Sequence, residues 1–546
     1  MAGRAAHGPG LWHRLRRPVA ASWVLLVAGI VVAALPLFPP AAHDDAGGFS
    51  VTAALAHVDR IAAEPRPIGS AASARARGYL VDEITALGLE PELQELQVPD
   101  YYGAPGEVAT VVNVLARIPG TASSGAVAVM AHYDTVPATR GANDNAAGVA
   151  VVLETARAIL ADTQLRNDVL LLLTDGEEPA PRLGSSAFVS AHPWAADVAF
   201  VVNLEAAGGG GPSLLVDVAG PNRWAIDRYD AAAPYPAAFS FLTATTELIG
   251  SYTDIAPFSA AGIPGVEFAY AHGSPIYHTD RDTPDVVSAA TVRQQGANTL
   301  ALVRHVGSVD LRPADRADTP TSFFTLGRFL LVRYPATVDV VVAAAAAGFL
   351  GLAVWRRRSW RRTLTGLGGT VGTCLAAGVV AALVWMPLGG WRTTMSTTES
   401  YLYLAALIAL AAAVGGAAAA LRKRRGGGPD LAGVVALWAL AALAAAPAVP
   451  GLGYVFAWPA LAGAAALLLG PPSGRLPRVA QVALVSLPAL LLLVPMVDVL
   501  FQLAQPRPGN PDSQVLAVVA APVLLASFVI ELARPVLSRP AGNAGG

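Results

Sequence analysis

The chain is 546 residues long, 54% hydrophobic and only 14% charged, with a formal net charge of -2 and a mean hydropathy of +0.49. This is too apolar for an ordinary soluble protein, and the near-neutral charge gives no reason to expect a nucleic-acid partner. A single cysteine, Cys374, makes an intrachain disulfide impossible and offers no thiolate metal site.

Residues 1–18 carry Arg4, Arg14, Arg16 and Arg17 and read as a basic cytoplasmic N-terminus. The apolar run at 19–38 matches the length of about 20 residues needed to cross a bilayer core. It is expected to remain as a transmembrane anchor, the competing reading being a signal peptide cleaved near Ala41 and Ala42. Residues 45–311 then read as a soluble α/β domain. Helical spacing occupies Ala53–Ile61 and Ala72–Leu87, with Gly88 placed to end the second helix. Short apolar runs at Ala126–Ala131, Val169–Leu173, Val198–Leu204 and Gly265–Ala269 predict buried strands, with helices such as Ala146–Leu160 between some of them. That alternation predicts a mostly parallel central sheet flanked by helices.

Residues 312–335 mix Phe323, Phe324, Phe329 and Tyr334 with Arg328 and Arg333 and read as an interfacial linker. Residues 336–533 predict an all-α, seven-helix membrane domain, with apolar stretches near 337–355, 366–388, 401–421, 431–449, 452–470, 479–501 and 514–533. Residues 534–546 form a cytoplasmic tail. If the N-terminus is inside, the inside loops hold Arg356, Arg357, Arg358, Arg361 and Arg362, then Arg422, Lys423, Arg424 and Arg425, then Arg475 and Arg478. The outside loops hold only Arg392 and Arg507, the asymmetry that the positive-inside rule requires. The expected protein is therefore multi-pass in the cell membrane, with both termini cytoplasmic and the α/β domain extracytoplasmic. Asp498 and Glu531 sit towards helix ends, so the helical block reads as an anchor or scaffold rather than an ion-coupled carrier.

Polar residues then appear where the buried strands run out. His132-Tyr133-Asp134 follows the first, and Gly141-Ala142-Asn143-Asp144-Asn145 leads into the next helix. Thr174-Asp175-Gly176-Glu177-Glu178 follows the second strand, and Asn203-Leu204-Glu205 ends the third. Tyr277-His278-Thr279 lies further on, with Asp282 close behind. Open α/β sheets bind ligands at the carboxyl ends of their strands, so these residues can converge. Adjacent ionised carboxylates repel unless a cation neutralises them. Two histidines and several carboxylates without cysteine suit a hydrolytic zinc pair better than a structural zinc.

In order and spacing, His132-x-Asp134, Gly-Ala-Asn-Asp144-Asn, Glu177-Glu178, Asn-Leu-Glu205 and Tyr-His278-Thr resemble the M28 family of zinc aminopeptidases. The Asn-Leu-Glu form, the Phe-rich segment and the multispan C-terminal half are similar to its membrane-anchored branch, the endoplasmic reticulum metallopeptidases and vacuolar membrane proteases. The resemblance implies two zinc ions per chain, bridged by Asp144, with His132 and Glu205 completing one site and Glu178 and His278 the other. It implies that Glu177 is the general base and that Asp134 orients His132, with Asp282 in similar support. The implied partners are a peptide substrate and the lipid bilayer; oligomeric state is left open.

One segment departs from the family pattern. Many members have Ser-Asp-His where this chain has Tyr252-Thr253-Asp254-Ile255, so no oxyanion donor carries over. Tyr252, Tyr270 and Tyr277 read as packing aromatics, and His192 and His272 as surface or loop residues. Two alternatives stand beside a zinc exopeptidase: a glutaminyl-cyclase-like acyltransferase with one zinc, and an inactive binding or assembly module.

Overall fold

Along the central strands, alternate apolar residues face opposite sides, and both sides are covered. The computed structural model describes residues 24–503 apart from 45–47, 100–107, 163, 179–181, 221, 251, 313–318, 386–390, 392–393, 425–430 and 471–474. Its strands are β1 Glu92–Pro99, β2 Val108–Ile118, β3 Ala126–His132, β4 Asp168–Thr174, β5 Val198–Ala206, β6 Leu214–Ala219 and β7 Gly265–Tyr270. They form one seven-stranded sheet in the order β1-β2-β4-β3-β5-β7-β6. The inner strands β4, β3, β5 and β7 are parallel. The margins are antiparallel, with β1 and β2 on one side and β6 on the other. A mostly parallel sheet is thus right for the buried middle, where continuous apolar runs mark the strands. The edge strand β1, with alternating polar residues, lacks such a run, whereas β2 is mostly buried.

Helices α1 Val51–Ile61, α2 Ala71–Ala86, α3 Gly148–Leu160, α4 Leu183–Ala191, α5 Asn222–Ala232, α6 Ser240–Ile249, α7 Ile255–Ala260 and α8 Ala289–Gly307 surround it. Ser50, Ser70 and Ser288 start α1, α2 and α8 by accepting a backbone N–H three residues on. Val127, Val129 and Ala131 of β3 pack beneath Val58, Leu80, Val152 and Val303 on one face. Ala128 and Met130 meet Phe188, Ile255 and Phe258 on the other.

The segment expected to be an interfacial linker contains an antiparallel hairpin, β8 Thr321–Leu326 and β9 Leu330–Pro335. Phe323 and Phe324 are buried in it, and Phe329 is exposed at its turn. Beyond it run α9 Thr337–Arg357, α10 Trp360–Trp385, α11 Thr397–Arg424, α12 Leu431–Ala448, α13 Tyr454–Leu469 and α14 Arg475–Leu503. Among the described residues, five helices are long and apolar enough to cross a membrane; α13 and an N-terminal helix, Val24–Leu37, are shorter. The expected span at 514–533, both cytoplasmic ends and the first residues of the 19–38 run lie outside the described residues.

The two halves share a core. Leu214, Phe239, Phe241 and Phe324 pack with Ala346, Trp438 and Tyr454, and the Phe324 and Tyr454 rings stack at 5.0 Å. Polar groups fasten the same joint: Ser322 Oγ and Tyr334 OH donate to Asp339 at 2.5 and 3.0 Å, and Trp458 Nε1 donates to Tyr334 OH at 2.8 Å. These contacts fall near the starts of α9 and α13. The basic residues Arg356 and Arg357 of α9, and Arg422 and Arg424 of α11, lie at the far ends of their helices.

Ser240 Oγ donates to Gly451 O at 2.7 Å and accepts from Phe323 N at 3.0 Å, and it is fully buried. Ser240→Ala strands both partners and should cost about 1–3 kcal/mol, a loss of several degrees in the thermal unfolding midpoint measured in detergent. An unchanged midpoint would show that this bond does not hold the halves together.

Candidate metal centre

Each element ends at the same place. His132 is the last residue of β3, Glu177 and Glu178 follow β4, and Glu205 is the penultimate residue of β5. His278 arrives on the loop after β7, in a left-handed conformation with φ 59° that is uncommon outside glycine. Asp144 lies in the turn before α3. Gly141 opens that turn at φ 55°, and a Cβ there would lie 2.2 Å from the Asp144 carbonyl oxygen, so only glycine fits.

The Asp144 carboxylate sits between the two imidazoles. Its Oδ1 is 3.3 Å from His132 Nε2 and its Oδ2 is 3.2 Å from His278 Nε2. Glu205 Oε2 completes the His132 side at 3.5 Å, and Glu178 Oε2 completes the His278 side at 3.0 Å. One donor atom from each of His132, Asp144 and Glu178 can be chosen so that all lie within 4.8 Å of one another. Despite these short separations His132 Nε2, Asp144 Oδ2 and His278 Nε2 make no well-aligned hydrogen bond, and neither does the buried Glu178 Oε1. Buried polar atoms are normally satisfied; unpartnered donors of this type converging on one point fit a cation.

Asp134 lies behind the site. Its backbone oxygen lies 3.3 Å and its Oδ1 3.5 Å from His132 Nδ1, and its two carboxylate oxygens accept the backbone N–H groups of Glu177 and Glu178 at 3.3 and 3.2 Å. It therefore braces the imidazole and the Glu-Glu turn together. Asp282 accepts from Asn143 N, Asn143 Nδ2 and Asp144 N at 2.9, 2.8 and 3.1 Å, holding the Asp144 turn.

Electrostatics agree with the geometry. Burial raises Glu177 well above its usual value and Glu178 to about 8. Burial also raises Glu205, against the opposing effect of His132. For His278, burial opposes the charge, but Asp144 and Glu178 outweigh it and hold the imidazole up to about 10. His132 is likewise held high by Glu205, Asp134 and Asp144 despite burial. Burial also acts on Asp144, yet its two histidines keep it below the usual carboxylate range. So many buried acids are costly without positive charge among them.

The fold brings further residues to the site, Arg66 with no signal in the sequence and Asp254 from the segment that departs from the family pattern. Arg66 is fully buried and donates to Tyr133 O, Arg140 O and Gly141 O, strapping the loop between β3 and Asp144; burial lowers it to about 10. Asp254 is buried at the start of α7 and accepts from Thr174 Oγ1. Of the tyrosines considered, Tyr252 is exposed. Tyr270 OH donates towards Asn143 Oδ1 at 3.2 Å, and Tyr277 stacks on His278 at 3.7 Å. His192 and His272 are not surface residues; both are buried, His192 beside Glu92 at 3.0 Å and His272 beside Asp498 at 3.1 Å. Their partners lie 100 or more residues away in the chain, beyond any local pattern.

Residues 113–303, which carry every one of these candidate ligands, match the model of peptidase family M28. The chain carries a peptidase M28 domain. Endoplasmic reticulum metallopeptidase 1 of Mus musculus is 30% identical over 275 residues, 48% of this chain and 31% of that protein. The vacuolar membrane protease of Yarrowia lipolytica is 27% identical over 336 residues, 56% of this chain and 33% of that protein. The chain thus spans about a third of the length of these curated relatives. Among solved structures, BSAP, a zinc aminopeptidase from Bacillus subtilis, is similar with a TM-score of 0.39 and 16% identity, covering 50% of this chain and 98% of that one. A Porphyromonas gingivalis glutaminyl cyclase has a TM-score of 0.39 and 19% identity, covering 47% and 98%.

In the metal-free M28 domain, His278 must release a proton held up to about 10 before its Nε2 can bind a cation. Binding therefore releases protons, and zinc affinity should rise between about pH 6 and about pH 9, as read by calorimetric titration. Asp134→Asn should weaken zinc binding about 10- to 100-fold. A pH-independent affinity, or full affinity in that variant, would count against the site.

Proposed function

We propose that the chain is a membrane-anchored, zinc-dependent exopeptidase, an aminopeptidase acting on peptides outside the cytoplasmic membrane. The observation that carries this reading is the Asp144 carboxylate, one oxygen on each of His132 and His278 at 3.3 and 3.2 Å. That arrangement favours two ions: His132, Asp144 and Glu205 would hold one, and His278, Asp144 and Glu178 the other. Zinc bound there supplies Lewis acidity, polarising the scissile carbonyl and lowering the pKa of the attacking water.

The protein's own groups then move the proton. Glu177 accepts it from the water and returns it to the leaving amine. Burial, which raises its carboxyl well above the usual value, brings its basicity nearer to that of a base working close to neutral pH. Asp134 keeps His132 oriented, and Asp282 keeps the Asp144 turn in place. The exopeptidase reading rests on the resemblance to zinc aminopeptidases, and the names of the matched metallopeptidase and membrane protease are in keeping with it. The arginines at the ends of α9 and α11 remote from the M28 domain support an extracytoplasmic orientation.

Glu177→Gln should retain zinc and lose hydrolysis of aminoacyl substrates by about 100- to 10,000-fold; full turnover in this variant would sink the assignment. A protease-sensitive tag in the M28 domain should be cleaved from outside intact cells. Protection there, with cleavage only after lysis, would reverse the orientation.

A further inference from the structure

The helical half touches the loop that leads to His278, chiefly through one histidine. His272 opens the loop from β7 to His278, and its ring is held by groups from two membrane helices. Nε2 faces Asp498 Oδ2 of α14 at 3.1 Å, and Nδ1 lies 3.0 Å from Tyr401 OH of α11, whose ring meets the imidazole edge-on. Both His272 and Asp498 are buried. Two residues on, Ser274 Oγ lies 3.1 Å from Gln502 O, adding a second tie to α14.

On its other side His272 clasps the glycine-rich turn that follows Glu205. Gly209 N and Gly210 N donate to His272 O at 2.8 and 3.1 Å, and His272 N donates to Gly210 O at 3.0 Å. The ring lies against Gly211, whose φ is 86° and where a Cβ would come within 2.3 Å of His272 Cγ. From His272 the chain passes through the short helical turn Ser274–Ile276 to Tyr277 and His278. A shift of His272 is therefore carried both to the loop bearing His278 and to the turn behind Glu205.

We propose that Asp498 and Tyr401 are positioning residues of the metal centre, acting through His272 on the loop that presents His278. The inference rests on the reading of His278 as a metal ligand. The joint between the halves is already made elsewhere, by apolar packing around Phe324 and Tyr454 and by the Asp339 network, neither of which touches the loop that leads to His278. A carboxylate near the end of an apolar helix is costly unless a compensating group lies beside it, and here the group within ion-pair distance is the imidazole near the start of the ligand loop. The helical half is thus part of the site's scaffold as well as its anchor.

The test uses the full chain in detergent or nanodiscs, with zinc affinity measured by competition with a chelator and turnover measured at saturating zinc. Asp498→Asn and Tyr401→Phe should each lower zinc affinity by about 10-fold, the lower end of the range for groups that orient metal ligands, and should lower kcat more than they change KM. Asp498→Glu should recover part of the loss. His272→Gln combined with Asp498→Asn should be little worse than either alone, because both act through one contact. Wild-type zinc affinity in both Asp498→Asn and Tyr401→Phe overturns the proposal. Should Asp498→Asn fail to assemble, Tyr401→Phe, which loses a single hydroxyl, decides the matter. If the wild type holds zinc but cleaves no aminoacyl substrate, the exopeptidase reading fails while the zinc affinities still judge the coupling.

Discussion

The carboxylate of Asp144, held between His132 and His278, sets the condition that the rest of the domain must satisfy. Around it stand Asp134, Glu177, Glu178, Glu205, Asp254 and Asp282, with the buried Arg66 as their fixed cationic neighbour. Such a cluster is unfavourable in an apolar interior without additional positive charge. The protein meets that demand by placing donors where cations can be shared. It also uses a rigid platform, the ends of buried parallel strands, to hold them against their mutual repulsion.

That platform explains the division of labour among the acids. Residues on strand ends, such as Glu205, are positioned by the sheet register itself. Residues on loops need separate bracing. Asp134 ties the Glu177-Glu178 turn by its backbone, Asp282 ties the Asp144 turn, and Arg66 ties the loop between His132 and Gly141. His278 lies on a loop eight residues past the end of β7, and this loop leans on the helical half.

The two halves are joined by a continuous apolar core around Phe324, Tyr454 and Trp438, reinforced by the Asp339, Ser322, Tyr334 and Trp458 network. A hairpin makes this joint, so the M28 domain has a defined seat on the helices. A defined seat is what allows an interaction such as that of His272 with Asp498 to bear on a site several residues away.

Much of the site was legible in the chain itself, because His132, Glu177, Glu178 and Glu205 each stand where an apolar run stops, and the Asn-Asp-Asn turn marks Asp144. The apolar stretches of the C-terminal half were legible for the same reason: burial in lipid or in a sheet core leaves a periodic or continuous hydrophobic record. The antiparallel edge strand β1 was not, since its half-exposed residues have mixed composition, and the antiparallel direction of β2 and β6 is set by pairing that no local pattern records. Nor were the roles of Arg66, which belongs to no motif, and of His272, read from sequence as a surface or loop residue. Composition and order determined which chemical groups this protein brings and which segments are apolar enough to leave water. Tertiary structure alone decided which of those groups meet, because contacts such as His272 with Asp498 join positions more than two hundred residues apart and leave no local trace.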